Sequence, residues 1–287
     1  MIRTSSPFVA PKAPEILYRS ELYKLIRAMI KDYKVLLGIY KEKQDQVAMD
    51  AKGTWLTTDI NAKLDQLGSK WSKKFEEFAN SHSKKFVNKM LRLSNTQIKS
   101  ILKDWFADKR LELIGQVIPT ELKQVVNADI VYNVSLIKSI QVRYHERVLG
   151  SVMRSITNGG ALKQLTMEVA RYGGMEYREA KNIALDQTRK VYTSITMHNC
   201  KRLGIQKMKW LHSHARKEPR PLHMRKFNGD YSNYPHVNGL DGLVFDINNP
   251  PVIQEAYTTK SGKSYKEITG YPSQLPFCGC VMVAVME

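Results

Sequence analysis

A chain of 287 residues, 43% apolar and 25% charged, can bury a substantial core, and this composition excludes a disordered or fibrous protein. A formal net charge of +18 at pH 7 is its most extreme bulk property. Such a charge points to a polyanion, nucleic acid first and an anionic membrane surface second, against the plainer alternative of a solvated basic face. Three cysteines in so long a chain make no disulfide framework and imply a reducing compartment. No stretch approaches the roughly 20 apolar residues of a membrane span. The start, Met1-Ile2-Arg3-Thr4-Ser5-Ser6-Pro7, lacks the apolar run of a secretory signal, so cytoplasmic synthesis is expected.

Residues 1–13 hold Pro7 and Pro11, with Pro14 close behind, and read as an extended arm. A first helix is expected from Ile16 to about Gln46, because Leu22, Ile26, Met29, Ile30, Tyr33 and Leu37 recur at helical spacing. After a break at Ala51-Lys52-Gly53, Thr57-Thr58-Asp59 offers capping oxygens to a second helix carrying Ile60, Leu64, Leu67, Trp71, Phe75 and Phe78. The two suggest an antiparallel hairpin. Lys70, Lys73, Lys74, Lys84, Lys85 and Lys89 accumulate here among Trp71, Phe75 and Phe86. The aromatic residues keep helical spacing and are expected in the core, which leaves the lysines to contact phosphates without reading sequence.

Ser94-Asn95-Thr96 can cap a further helix toward Leu113, and Pro119 precedes another running from Glu121 to Ile156. Asn158-Gly159-Gly160 tolerates left-handed angles and ends it. Leu162 to Tyr172 reads as a short helix stopped by Gly173-Gly174, and Glu176 to Arg202 as the next. Asp186, Gln187 and Arg189 form a polar trio within the latter, suited to a hydrogen-bond network that ties the helix to the C-terminal module. Beyond Leu203-Gly204 the period becomes alternating. Strands are expected ending at Trp210, near Leu243–Phe245 and near Val281–Val285, with a hairpin turn at Ser261-Gly262-Lys263-Ser264.

Chemistry is concentrated between Trp210 and Cys280, which contains four of the seven histidines and two of the three cysteines. In an extended Cys278-Gly279-Cys280 both thiols point to one face, and His212 and His214 share that i, i+2 geometry. With His223 they supply nitrogens and sulfurs enough for a tetrahedral Zn²⁺ site. The alternative is two small half-buried strand cysteines beside surface histidines.

Ala180-x-x-Ile183-Ala184-x-x-Gln187-Thr188, Leu203-Gly204-Ile205, a strand ending at Trp210, Arg220-Pro221-x-His223 and Pro276-x-Cys278-x-Cys280 occur in one order. This series resembles the phage head morphogenesis family typified by the Mu F-like minor head protein, and covers roughly Met175 to the C-terminus. The resemblance implies a minor capsid protein of a tailed phage, made in the host cytoplasm and located in the virion at the head interior or portal vertex. Its implied partners are the portal protein, the major capsid protein and packaged double-stranded DNA. It implies no catalysis. The alternative function is a metal-dependent nuclease using His212, His214, His223 and His236 with Asp241 and Asp246, though no His-Glu-x-x-His or nucleophile elbow is present.

The expected architecture is α+β. It comprises the arm (1–13), a helical region (14–174) and a module of one helix, a small sheet and long loops (175–287).

Overall fold

Among the described residues the apolar stripes fold into four long helices: α1 (Lys12–Gln46), α2 (Trp55–Leu102), α3 (Thr120–Thr157) and α4 (Leu162–Arg202). The strands are β1 (Arg3–Thr4), β2 (Lys207–Leu211), β3 (Val244–Asp246), β4 (Val252–Thr259), β5 (Gly262–Thr269) and β6 (Val281–Met286). The fold is therefore α+β, mainly helical with a small C-terminal strand module, as the periodicities require. This computed structural model describes residues 3–46, 55–106, 110–112, 114, 119–157, 162–213, 223, 239–259, 262–275 and 278–286. Among the described residues no helix is long and apolar enough to cross a membrane.

Residues group into two compact units, neither continuous in sequence. One comprises Ala13–Phe86 and Asp129–Ala184 and is helical. Its core holds Leu22, Ile26, Tyr33, Leu64, Phe75 and Ile140, all fully buried. Two long-range hydrogen bonds cross this core: the Tyr18 hydroxyl donates to Asn133 Oδ1 at 2.9 Å, and Tyr33 Oη meets His145 Nδ1 at 2.8 Å. Trp71 packs edge-on to Phe75 and donates its indole N–H to Asp32 Oδ2 at 3.2 Å. Pro14 falls in the first turn of α1, where its missing N–H costs no helical bond, so α1 begins at Lys12, ahead of the expected Ile16.

Two expected helix ends are absent. Gly173-Gly174 does not stop a helix, since α4 continues through it. The close approach of Ile30 explains the glycine: a Cβ on Gly173 would lie 2.6 Å from Ile30 Cδ1. Packing offsets a helix-interior glycine cost of about 1 kcal/mol. Ser94-Asn95-Thr96 likewise caps nothing, because α2 runs through it to Leu102. Asn158-Gly159-Gly160 lies outside the described residues.

The other unit comprises Met1–Lys12, Val87–Ala128 and Leu185–Glu287. The hydroxyls and amides of the supposed cap are engaged there in a polar seam between α2 and α4. Ser94 Oγ meets Thr196 Oγ1 at 2.9 Å, Asn199 Nδ2 donates to Asn95 Oδ1 at 2.7 Å, and the Tyr192 hydroxyl donates to Gln97 Oε1. The same unit carries an antiparallel sheet in the order β1-β6-β2-β3. The N-terminal arm is extended and joins this sheet: Arg3 pairs with Met286, Thr4 with Val285, and Phe8 bridges Met282 with its side chain only 2% exposed. β4 and β5 form a separate two-stranded hairpin in which Thr259 pairs with Gly262.

Candidate metal centre

Alternation along β2 buries Met208 and Trp210 and leaves Lys207, Lys209 and Leu211 half-buried. Trp210 pairs with Met282 of β6, and Leu211 with Val281. Cys278-Gly279-Cys280 leads directly into β6, so both thiols are delivered beside Trp210. Cys278 is 3% exposed and Cys280 2%, whereas Gly279 between them is half-buried. The expected one-sided placement of the sulfurs is thus observed.

His223 enters from a different part of the chain and is 2% exposed. Its ring lies 5.1 Å from that of Trp210, nearly perpendicular at 77°. Nδ1 stands 3.6 Å from Cys278 Sγ and 3.6 Å from Cys280 Sγ. All three potential ligand atoms lie within 4.8 Å of one another. Nε2 is buried with no hydrogen-bond partner. One imidazole nitrogen has a single in-plane lone pair and cannot accept two S–H bonds well, so the equal distances describe three donors facing a common point. This buried group can hold a metal ion.

The sulfurs are electrostatically unequal. A hydrogen bond with Cys280, followed by the His223 imidazole, holds the Cys278 thiol well below its usual range although burial opposes this. The same sulfur–sulfur hydrogen bond and burial push Cys280 up. The neighbouring sulfur and the imidazole thus favour the thiolate at Cys278. Thiolate is the form that binds metal. Cys200 stands apart: it is fully buried in α4, and burial pushes its thiol up to about 12.

The turn around the cysteines is held on several sides. Ser273 adopts a positive φ of 64° and donates its hydroxyl to Cys280 O at 2.7 Å. Cys278 N donates to Leu275 O at 3.1 Å. Arg189 Nη1 reaches Cys278 O at 3.5 Å, so of the trio on α4 it is Arg189 that ties that helix to the module. Its neighbours Asp186 and Gln187 are buried, and Asp186 pairs with Lys190 at 2.9 Å.

Of the candidate ligands, His223, Cys278 and Cys280 come together. His212 is not in the group. β2 ends at Leu211, the alternation stops there, and the His212 backbone N–H turns to Asp241 Oδ1 at 2.9 Å. His214 and His236 lie outside the described residues. Asp246 accepts the Asn248 backbone N–H at 2.6 Å, a turn-forming role. Trp210, Ser213 and Ser273 carry no ligand signature in the sequence; only the proximity of Trp210 to the histidine pair hints at its place in the site.

Lys70, Lys73, Lys74, Lys84, Lys85 and Lys89 are exposed, while Trp71, Phe75 and Phe86 are buried. Lys70 pairs with Asp32 at 2.7 Å, and Lys74 lies over the Trp71 ring at 4.6 Å.

No family model matches the chain, and no solved structure matches it. It is 26% identical over 293 residues to an uncharacterized protein of Haemophilus influenzae. That alignment takes in 99% of this chain and 56% of the relative, so the chain spans about half of that protein's length.

Proposed function

We propose that the chain acts as a minor capsid or head morphogenesis protein of a tailed phage, associated with the portal and head interior. In this reading a Zn²⁺ ion on His223, Cys278 and Cys280 pins the C-terminal module, which docks on the portal or major capsid protein. The exposed lysines of α2 touch packaged DNA without sequence preference.

The observation that carries the proposal is the meeting of Trp210, His223, Cys278 and Cys280. These residues belong to three separate elements of the head-protein resemblance, and they converge on one buried point. Zinc suits the donors. With bonds of about 2.3 Å to sulfur and about 2.0–2.1 Å to nitrogen, tetrahedral zinc spaces a sulfur and a nitrogen about 3.6 Å apart. Nδ1 is 3.6 Å from each sulfur. Two thiolates also neutralise the ion, which lowers the cost of burying it.

Salt titration of duplex DNA binding tests the DNA role. Affinity should fall steeply between about 50 and 200 mM salt and ignore sequence. Replacing Lys73, Lys74, Lys84 and Lys85 with glutamine should make the salt dependence shallower by about 0.9 for each phosphate no longer neutralised. Affinity indifferent to salt would remove the DNA role, and metal-dependent cleavage of that DNA would replace the proposal with a nuclease.

A further inference from the structure

We infer that Arg189 is a positioning residue for the metal ligands, closing with Ser213 over a Cys-Gly-Cys segment that must stay bare at Gly279. The inference rests on the reading that His223, Cys278 and Cys280 hold a metal ion, and adds which residues outside the ligand set hold the sulfurs in place.

Two hydrogen bonds converge on this segment: Cys278 O is held by Arg189 at 3.5 Å and Cys280 O by the Ser273 hydroxyl at 2.7 Å. The backbone that carries each sulfur is thereby fixed.

Gly279 shows how closely the clamp is shut. A Cβ there would stand 2.8 Å from Ser213 Oγ, 3.2 Å from Ser213 Cβ and 3.3 Å from Arg189 Nη1. Any side chain would push Ser213 and Arg189 back from the segment, and Arg189 is the residue that holds Cys278 O. Arg189 is suited to this work for a second reason. A fixed positive group beside the ligand pair favours the thiolate form that binds metal. The Arg189 guanidinium, permanently charged and half-buried, is on that side of the segment. Outer partners of this kind orient ligands, and their loss costs about 10–100-fold in metal affinity.

The test is cobalt(II) titration of the full chain, followed by competition with zinc. Wild-type protein should show thiolate-to-cobalt charge-transfer absorption at one ion per chain. Arg189→Ala should keep that stoichiometry and its helical circular dichroism, yet shift the cobalt d–d envelope and bind about 10–100-fold more weakly. Arg189→Lys should recover part of the loss, and Gly279→Ala should reproduce it without touching Arg189. If wild type shows no thiolate band, the metal reading itself fails and the inference goes with it. If wild type binds but Arg189→Ala and Gly279→Ala both bind within about twofold of it, the metal stands and the positioning role is wrong. A loss that lysine does not reduce would also overturn it, because bulk alone would then explain the effect.

Discussion

The two compact units are stabilised by different means. In the helical unit, formed by Ala13–Phe86 and Asp129–Ala184, long apolar stripes bury Leu22, Ile26, Leu64 and Phe75, and most ion pairs lie on the outside. The unit containing the sheet devotes more of its interior to specific polar contacts: the Ser94–Thr196 and Asn95–Asn199 pairs, the Ser273 hydroxyl on Cys280 O, and the His223–Cys278–Cys280 group. Burial is non-directional and tolerant, whereas a buried polar group is useful only when fully paired. The helical unit should therefore respond to lost volume, and the other to lost partners.

Substitutions can sharpen or break that contrast. Phe75→Ala should have the largest effect, about 3–5 kcal/mol lost from the helical unit, because Phe75 is fully buried. Bound metal should not change. A loss confined to about 1 kcal/mol, or metal released with it, would show that the contrast is wrong. Ser94→Ala comes next. It removes little volume but takes away one of the Thr196 hydroxyl's partners, leaving it Tyr192, and should cost about 0.5–1.5 kcal/mol in denaturant melts. Indifference to the change would mean that the seam is not stabilising.

The third prediction concerns a buried charge in the helical unit. Glu176 is 1% exposed and ion-paired with Arg147, yet its Oε2 has no hydrogen-bond partner. Burial pushes its carboxyl up to about 7, with Arg147 and Arg143 pulling the other way. The folded state thus holds this proton more tightly than the unfolded chain, whose glutamate titrates near 4.5. Its stabilising contribution is complete below about pH 4.5 and is lost as pH rises to about 7. Glu176→Gln cannot titrate. Measured across that window, the melting temperature of wild type should fall relative to the variant as pH rises. A constant difference would contradict the assignment.

Much of the helical architecture is legible in residues such as Leu22, Ile26, Met29 and Tyr33, because burial on one side of a helix imposes a 3.6-residue period. Local punctuation is less informative. Gly173-Gly174 and Ser94-Asn95-Thr96 carry stop and start signals, but Ile30 packs on the first and α4 pairs with the second, so tertiary contacts outweigh them. The β4–β5 pairing is only half visible in the sequence: Ser261-Gly262-Lys263-Ser264 signals a hairpin, but Gly262, Lys263 and Ser264 already belong to β5, paired with Thr259, Thr258 and Tyr257, and the strands themselves cannot be read. For the site, the Cys-x-Cys spacing reveals one buried face. Nothing local to His223 shows that it reaches Cys278 across 55 residues while His212, nearer to Trp210, turns away. That depends on where β2 ends, which only the pairing of Leu211 with Val281 determines.

Metal content of the purified full chain, measured beside its thermal unfolding with and without chelator, bears most directly on the account. One zinc per chain is expected, with chelation lowering the melting of the unit that contains His223, Cys278 and Cys280 and leaving the helical unit in place. Zinc well below one per chain, together with melting that a chelator does not move, would contradict it.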